Sequence, residues 1–165
     1  MTFDDIPNGE SIYLDASVLL YWFTGEPECS GLLDRCKRQQ IHGIISTVTL
    51  YEVCYKAMRI EAEQATGEKQ VTIQQLRRRP DVLKQLHRYA NAVEELAFRS
   101  NLGYIDITAT DIARSHQVRQ RYGFLTADSI VARIVWDYGI PGIATTDPDF
   151  EVVEGIQVFG RRLKE

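Results

Sequence analysis

Apolar residues in this chain fall into two kinds of run that alternate from end to end. Short runs, rich in Ile, Val and Tyr, cover residues 11–15, 43–47, 104–107, 142–145 and 156–159. Each predicts a strand. Between them, apolar positions recur at steps of three and four over 16–23, 28–39, 49 to about 63, 110–122 and 126–138, which predicts helices. In the third of these, Leu50, Val53, Cys54 and Ala57 share one face. Gly25 and Pro27 separate the first two, and Gly123 and Gly139 stand where the last two should stop. After Pro80, the residues Val82, Leu83, Leu86, Tyr89, Val93, Leu96 and Ala97 keep the same spacing, so one long amphipathic helix is expected there. Residues 71–79 suit a shorter helix, and the polar stretch 64–72 reads as a turn or loop.

Strands that alternate with helices predict an α/β fold: three layers, α/β/α, with a mostly parallel central sheet and a longer helical stretch at about 59–101. No repeat, low-complexity tract or long linker interrupts the 165 residues, so 1–165 reads as a single domain. A hydrophobic share of 44% supports a real core and argues against general disorder. No apolar run reaches the length of a membrane span, and the polar start lacks a signal-peptide pattern, so a cytoplasmic protein with no membrane partner is expected. Cys29, Cys36 and Cys54 are odd in number and lack zinc-site spacing, which predicts reduced thiols.

The net charge of −4 does not advertise nucleic-acid binding. The positive charge is nevertheless clustered: Arg77, Arg78 and Arg79 are consecutive, Arg114, Arg119 and Arg121 share a segment, and Arg161, Arg162 and Lys164 lie near the end. Such clusters are either solvated helix faces or a basic rim for a phosphate substrate, with Arg77 to Arg79 the candidates for the rim. His42, His87 and His116 have no ligand spacing, and neither a GxGxxG nor a P-loop motif is present.

Four acids stand where short apolar runs meet helical ones: Asp15 in SIYLDAS, Glu52 in TLYEV, Asp128 in LTADSI and Asp147 in ATTDPDF. Each has a local reading. Asp15 suits a helix cap, Thr49 and Glu52 have capping-box spacing, Asp128 falls in a first helical turn, and Asp147 precedes a proline at a helix start. Yet helix starts gather at one edge of a parallel sheet, beyond the carboxyl ends of the strands, where ligands bind. The geometry that makes caps therefore also makes a convergent acidic pocket. Such a pocket resists joint ionisation, so at least one acid should carry a raised pKa without metal. A hard divalent cation with oxygen ligands is the natural remedy.

The ordered set YLDASVLL, STVTLYEV, LTADSIVARIV and GIATTDPDF resembles the PIN domain, a small nuclease domain that includes the VapC-like toxins of toxin–antitoxin pairs. The resemblance runs from about residue 12 to 159. It implies a metal-dependent endoribonuclease that hydrolyses RNA phosphodiesters, the toxin of such a pair. Mg²⁺ or Mn²⁺ would sit between Asp15, Asp128 and Asp147, with Glu52 a ligand directly or through water. Ser17 and Thr145 match the family's supporting hydroxyl positions, and Asp149 is a possible fifth acid. An antitoxin protein and a homodimer are implied partners. The stretch from about 59 to 101 is longer than in a minimal member, which bears on substrate access and on the toxin role. Other readings are a non-toxin RNA-processing nuclease and an inactive PIN-fold binding or regulatory module. A receiver-like phosphoacceptor is disfavoured, because no acidic pair closes the first strand.

Overall fold

The computed structural model describes residues 1–160, so Arg161, Arg162 and Lys164 lie outside the described residues. Five strands form one sheet: β1 (Ser11–Leu14), β2 (His42–Ser46), β3 (Gly103–Ile105), β4 (Gly142–Ala144) and β5 (Gln157–Phe159). Their order is β3-β2-β1-β4-β5, and every pairing is parallel. The chain builds outward from β1 to β3 on one side, then crosses to β4 and β5 on the other. The order therefore reverses between β1 and β4, and a crevice opens beyond the carboxyl ends of those two strands.

Strand alternation divides the apolar residues between two faces. Ile12, Leu14, Ile45 and Ala144 join one core, with Val18 and Leu19 of α1 (Ala16–Phe23), Leu32 and Leu33 of α2 (Pro27–Lys37), and Val53 of α3 (Thr47–Thr66). Tyr13 and Ile143 join the opposite core, with Val118 of α7 (Ala109–Tyr122) and Ile130 and Ile134 of α8 (Thr126–Asp137). The result is the three-layer α/β/α arrangement. Gly123 ends α7 with φ 78°, a left-handed position that costs glycine little, and its N–H closes the last turn on the Arg119 carbonyl. Cys29 and Cys36 are buried free thiols and Cys54 is a half-buried one; burial is the main cause that pushes Cys29 to about 12 and Cys36 to about 11. Among the described residues no helix is long and apolar enough to cross a membrane.

The helical stretch departs from expectation. In place of one long helix after Pro80 there are α5 (Pro80–Leu83) and α6 (Arg88–Arg99), preceded by the short α4 (Ile73–Arg77). The break has a tertiary cause. The buried carboxylate of Glu61, on α3, accepts the N–H groups of His87, Arg88 and Tyr89 at 3.0, 3.0 and 2.8 Å, and so caps α6 from another element. Breaking the helix lets the apolar stripe serve two cores. Val82 and Leu86 pack with Ala62, Val71 and Leu76 in a small separate cluster, whereas Leu96 reaches the main one.

Helix α3 is also longer than expected at both ends, beginning at Thr47 and running to Thr66 into part of the expected loop. Its cap is Ser46, whose hydroxyl accepts the Thr49 N–H at 3.2 Å. The capping box read into Thr49 and Glu52 does not form, because Thr49 lies buried inside the helix. Glu52 is thereby free of a capping role.

Candidate active site

Asp15 follows β1 directly and is 7% exposed. Its Oδ2 accepts the Ser17 hydroxyl at 2.6 Å, the Ser17 N–H at 3.3 Å and the Thr145 hydroxyl at 2.9 Å. Two elements that meet at the reversal point thus hold one carboxylate oxygen. Asp15 does cap α1, but the stronger grip comes from side-chain hydroxyls. The clamp extends to β4: the Thr146 N–H donates to the Ser17 hydroxyl at 3.1 Å, and the Asp147 N–H donates to Thr145 Oγ1 at 3.0 Å. Asp147 in turn accepts the Asp149 N–H at 2.9 Å and opens the turn Pro148–Val152.

Asp128 comes from the first turn of α8 and Glu52 from the second turn of α3. The carboxyl of Asp128 is pushed up to about 6. Burial is the largest cause, followed by repulsion from Asp15, Glu52 and Asp147, while Lys56 pulls the other way. Elements spread over the whole chain therefore place all four acids in one field. Asp149 is exposed, enters the network through its N–H, and is not among the charges acting on Asp128.

Two features of the site lie beyond the sequence reading. One is Lys56, whose Nζ meets Glu52 Oε1 at 2.6 Å one turn along α3. Its only signal in the sequence is the Glu–Lys spacing of four. The other is Tyr13 of β1, fully buried, whose hydroxyl lies 2.7 Å from both Ser46 Oγ and Thr49 Oγ1. Burial is the main cause that raises this phenol to about 12. Tyr13 thereby ties β1 to the start of the helix that carries Glu52.

The arginine run does not adjoin the acids. Arg79 pairs with Glu68, past the end of α3. Glu52 lies near the start of that helix, and its far end is roughly 20 Å away at 1.5 Å per residue. Arg77 and Arg78 are exposed on the same helical arm.

The donor set suits a hard divalent cation in chemistry and charge: four carboxylates with two hydroxyls behind them. The spacing does not close a coordination shell, since among the described residues no three His, Cys, Asp or Glu side chains converge to hold a metal ion. Glu52 is instead engaged by Lys56.

The family model described as PIN domain matches residues 12–156. Ribonuclease VapC2 of Methanocaldococcus jannaschii is 24% identical over 148 residues, covering 90% of this chain and 92% of the relative. Among solved structures, VapC20 of Mycobacterium tuberculosis, described as a sarcin-ricin loop cleaving toxin, superposes with a TM-score of 0.62 at 14% identity, covering 90% of this chain and 98% of that one. A toxin–antitoxin complex from Klebsiella pneumoniae gives a TM-score of 0.53 at 18% identity, covering 88% and 95%. At such identities the structural likeness is one of fold.

Proposed function

The chain belongs to the PIN domain family, and from that premise we propose that it is an endoribonuclease, the toxin of a toxin–antitoxin pair, whose acidic site works with a bound Mg²⁺ or Mn²⁺. The observation that carries the reading is the common field of Asp15, Glu52, Asp128 and Asp147 at the open end of the sheet. The ribonuclease names of the relatives support it from outside the structure.

Asp15, Asp128 and Asp147 would hold the ion, with Glu52 beside them directly or through water. When bound, the ion supplies a Lewis acid that lowers the pKa of a water and screens phosphoryl charge. The chain supplies the rest. Ser17 and Thr145 fix the Oδ2 of Asp15, so its other oxygen faces its task without rotating. In the metal-free site Asp128 holds its proton more tightly than an ordinary carboxyl, so metal binding would compete with that proton. Because the pocket is acidic, RNA should bind weakly until cation neutralises it. The arginines of the helical arm would contact RNA that flanks the scissile phosphate. An antitoxin partner and a homodimer belong to the same proposal.

The test is incubation of the purified chain with RNA and Mn²⁺, beside an Asp15→Asn variant and an EDTA control. Cleavage by the parent alone is the expected result. Cleavage that persists unchanged in both controls would refute the mechanism. Expression of the chain without a partner should arrest growth of the host, and expression of Asp15→Asn should not.

A further inference from the structure

Glu52 and Lys56 face each other across one turn of α3, with Glu52 on the N-terminal side, the favoured order for such a pair. On a solvated helix this contact would be of little consequence. Here one partner of the pair is largely shielded. The Glu52 side chain is 21% exposed, and its carboxylate belongs to the field of the acidic site. Among the described residues, Lys56 is the one positive charge of the groups that act on Asp128. Its own side chain is 49% exposed, so it can swing out into water at small cost.

We propose that Lys56 is the internal counter-ion of the acidic site, and that a divalent cation recruits Glu52 by displacing this ammonium. The inference rests on the metal-binding part of the proposed function. It joins two observations. The four acids share one field, and an ammonium 2.6 Å from Glu52 Oε1 already holds an oxygen that a metal ion would need. A lysine can do this reversibly, because it is a compact point charge on a flexible stem. The consequence is competition: the same lysine that steadies the metal-free site opposes the arrival of a second cation. Lys56 is thus a positioning residue that tunes affinity, and needs no contact with substrate.

The experiment is a Mn²⁺ titration followed by EPR at low ionic strength, on the full chain and on Lys56→Met and Lys56→Arg. Lys56→Met should bind Mn²⁺ on the order of three- to ten-fold more tightly, because a like charge is removed from the site. Lys56→Arg should stay within about two-fold of the parent, and added salt should narrow the gap as screening grows. Without divalent ion, Lys56→Met should melt below the parent; with saturating Mn²⁺ it should gain more than the parent does. Equal or weaker Mn²⁺ binding by folded Lys56→Met overturns this inference alone. Lys56→Gln carries the same expectation should the methionine variant fail to fold. No Mn²⁺ binding by any of the proteins removes the metal reading and this inference with it.

Discussion

The hydroxyl of Thr145 donates to Oδ2 of Asp15 at 2.9 Å across 130 positions of sequence. The bond spans the point where strand order reverses, so it joins the two strands whose ends form the crevice. It also makes the orientation of Asp15 depend on β4.

Thr145→Val removes that donor and the acceptor for the Asp147 N–H, while keeping the shape of the side chain. RNA cleavage should fall by roughly 10–100-fold, the usual effect of losing a group that orients a ligand. Thr145→Ser keeps the hydroxyl and should stay within a few-fold. Initial rates at saturating Mn²⁺, with circular dichroism melts to confirm folding, separate the two variants. A valine variant as fast as serine would mean that the clamp is idle.

Asp128 should make the metal-free protein less stable as pH rises. Its folded pKa is about 6, above the ordinary 3.8, because burial and three neighbouring carboxylates disfavour the charged form. Below pH 3.8 both folded and unfolded states hold the proton, and the group has no effect. Between 3.8 and about 6 the unfolded chain releases its proton first, so the folded state is progressively penalised. Above about 6 the penalty is complete. Asp128→Asn should therefore raise stability at pH 7.5 by on the order of 1 kcal/mol after solvent screening, or about 2–4 °C in Tm. The same variant should abolish cleavage. Melts of both proteins in EDTA from pH 4 to 8 check the sign, because the two curves should converge at the acid end.

Most of the sheet and all four acids are legible in the sequence, since strand-to-helix junctions are marked where short apolar runs give way to three-and-four spacing. Asp15 and Asp147 sit at such marks, and the family motifs point to the same positions. What local pattern cannot show is which distant group closes a helix end. Between Leu83 and Arg88 the apolar spacing continues unbroken, and only Glu61, 26 residues back, splits the helix. The same limit hides Lys56. Its pairing with Glu52 is local, but its place in the acidic field depends on how α3 and α8 pack. The place of the arginine run is hidden for a related reason: its charge is visible, whereas its position depends on how the helical arm packs against α3.

Glu61→Ala should loosen the helical arm without touching the acidic site. Burial alone would raise the pKa of Glu61, but three backbone N–H groups and nearby His87 outweigh it, so the carboxyl sits below its ordinary value. Stability from this cap is present above the unfolded pKa of 4.5 and lost as pH falls through the depressed folded value. Loss of the cap should cost about 2 kcal/mol, roughly 4–8 °C in Tm. Hydrogen exchange should localise the damage to the amides of His87, Arg88 and Tyr89, with those of β1 and β4 unchanged. Uniform loss of protection would show that the arm is not an independent unit.

Tyr13→Phe tests how Glu52 is placed. The Tyr13 hydroxyl is buried between Ser46, which caps α3, and Thr49, one turn further on. Phenylalanine keeps the ring in its core and deletes only the oxygen, leaving two hydroxyls to pair with each other at 3.4 Å. That remaining contact is longer and weaker, so about 1–2 kcal/mol should be lost. The start of α3 should fray, and Glu52 with it. Cleavage should drop several-fold at subsaturating Mn²⁺ and recover at saturation, because a displaced ligand is a matter of affinity. A defect that persists at saturating Mn²⁺ would place Tyr13 in the chemistry itself, which its complete burial argues against.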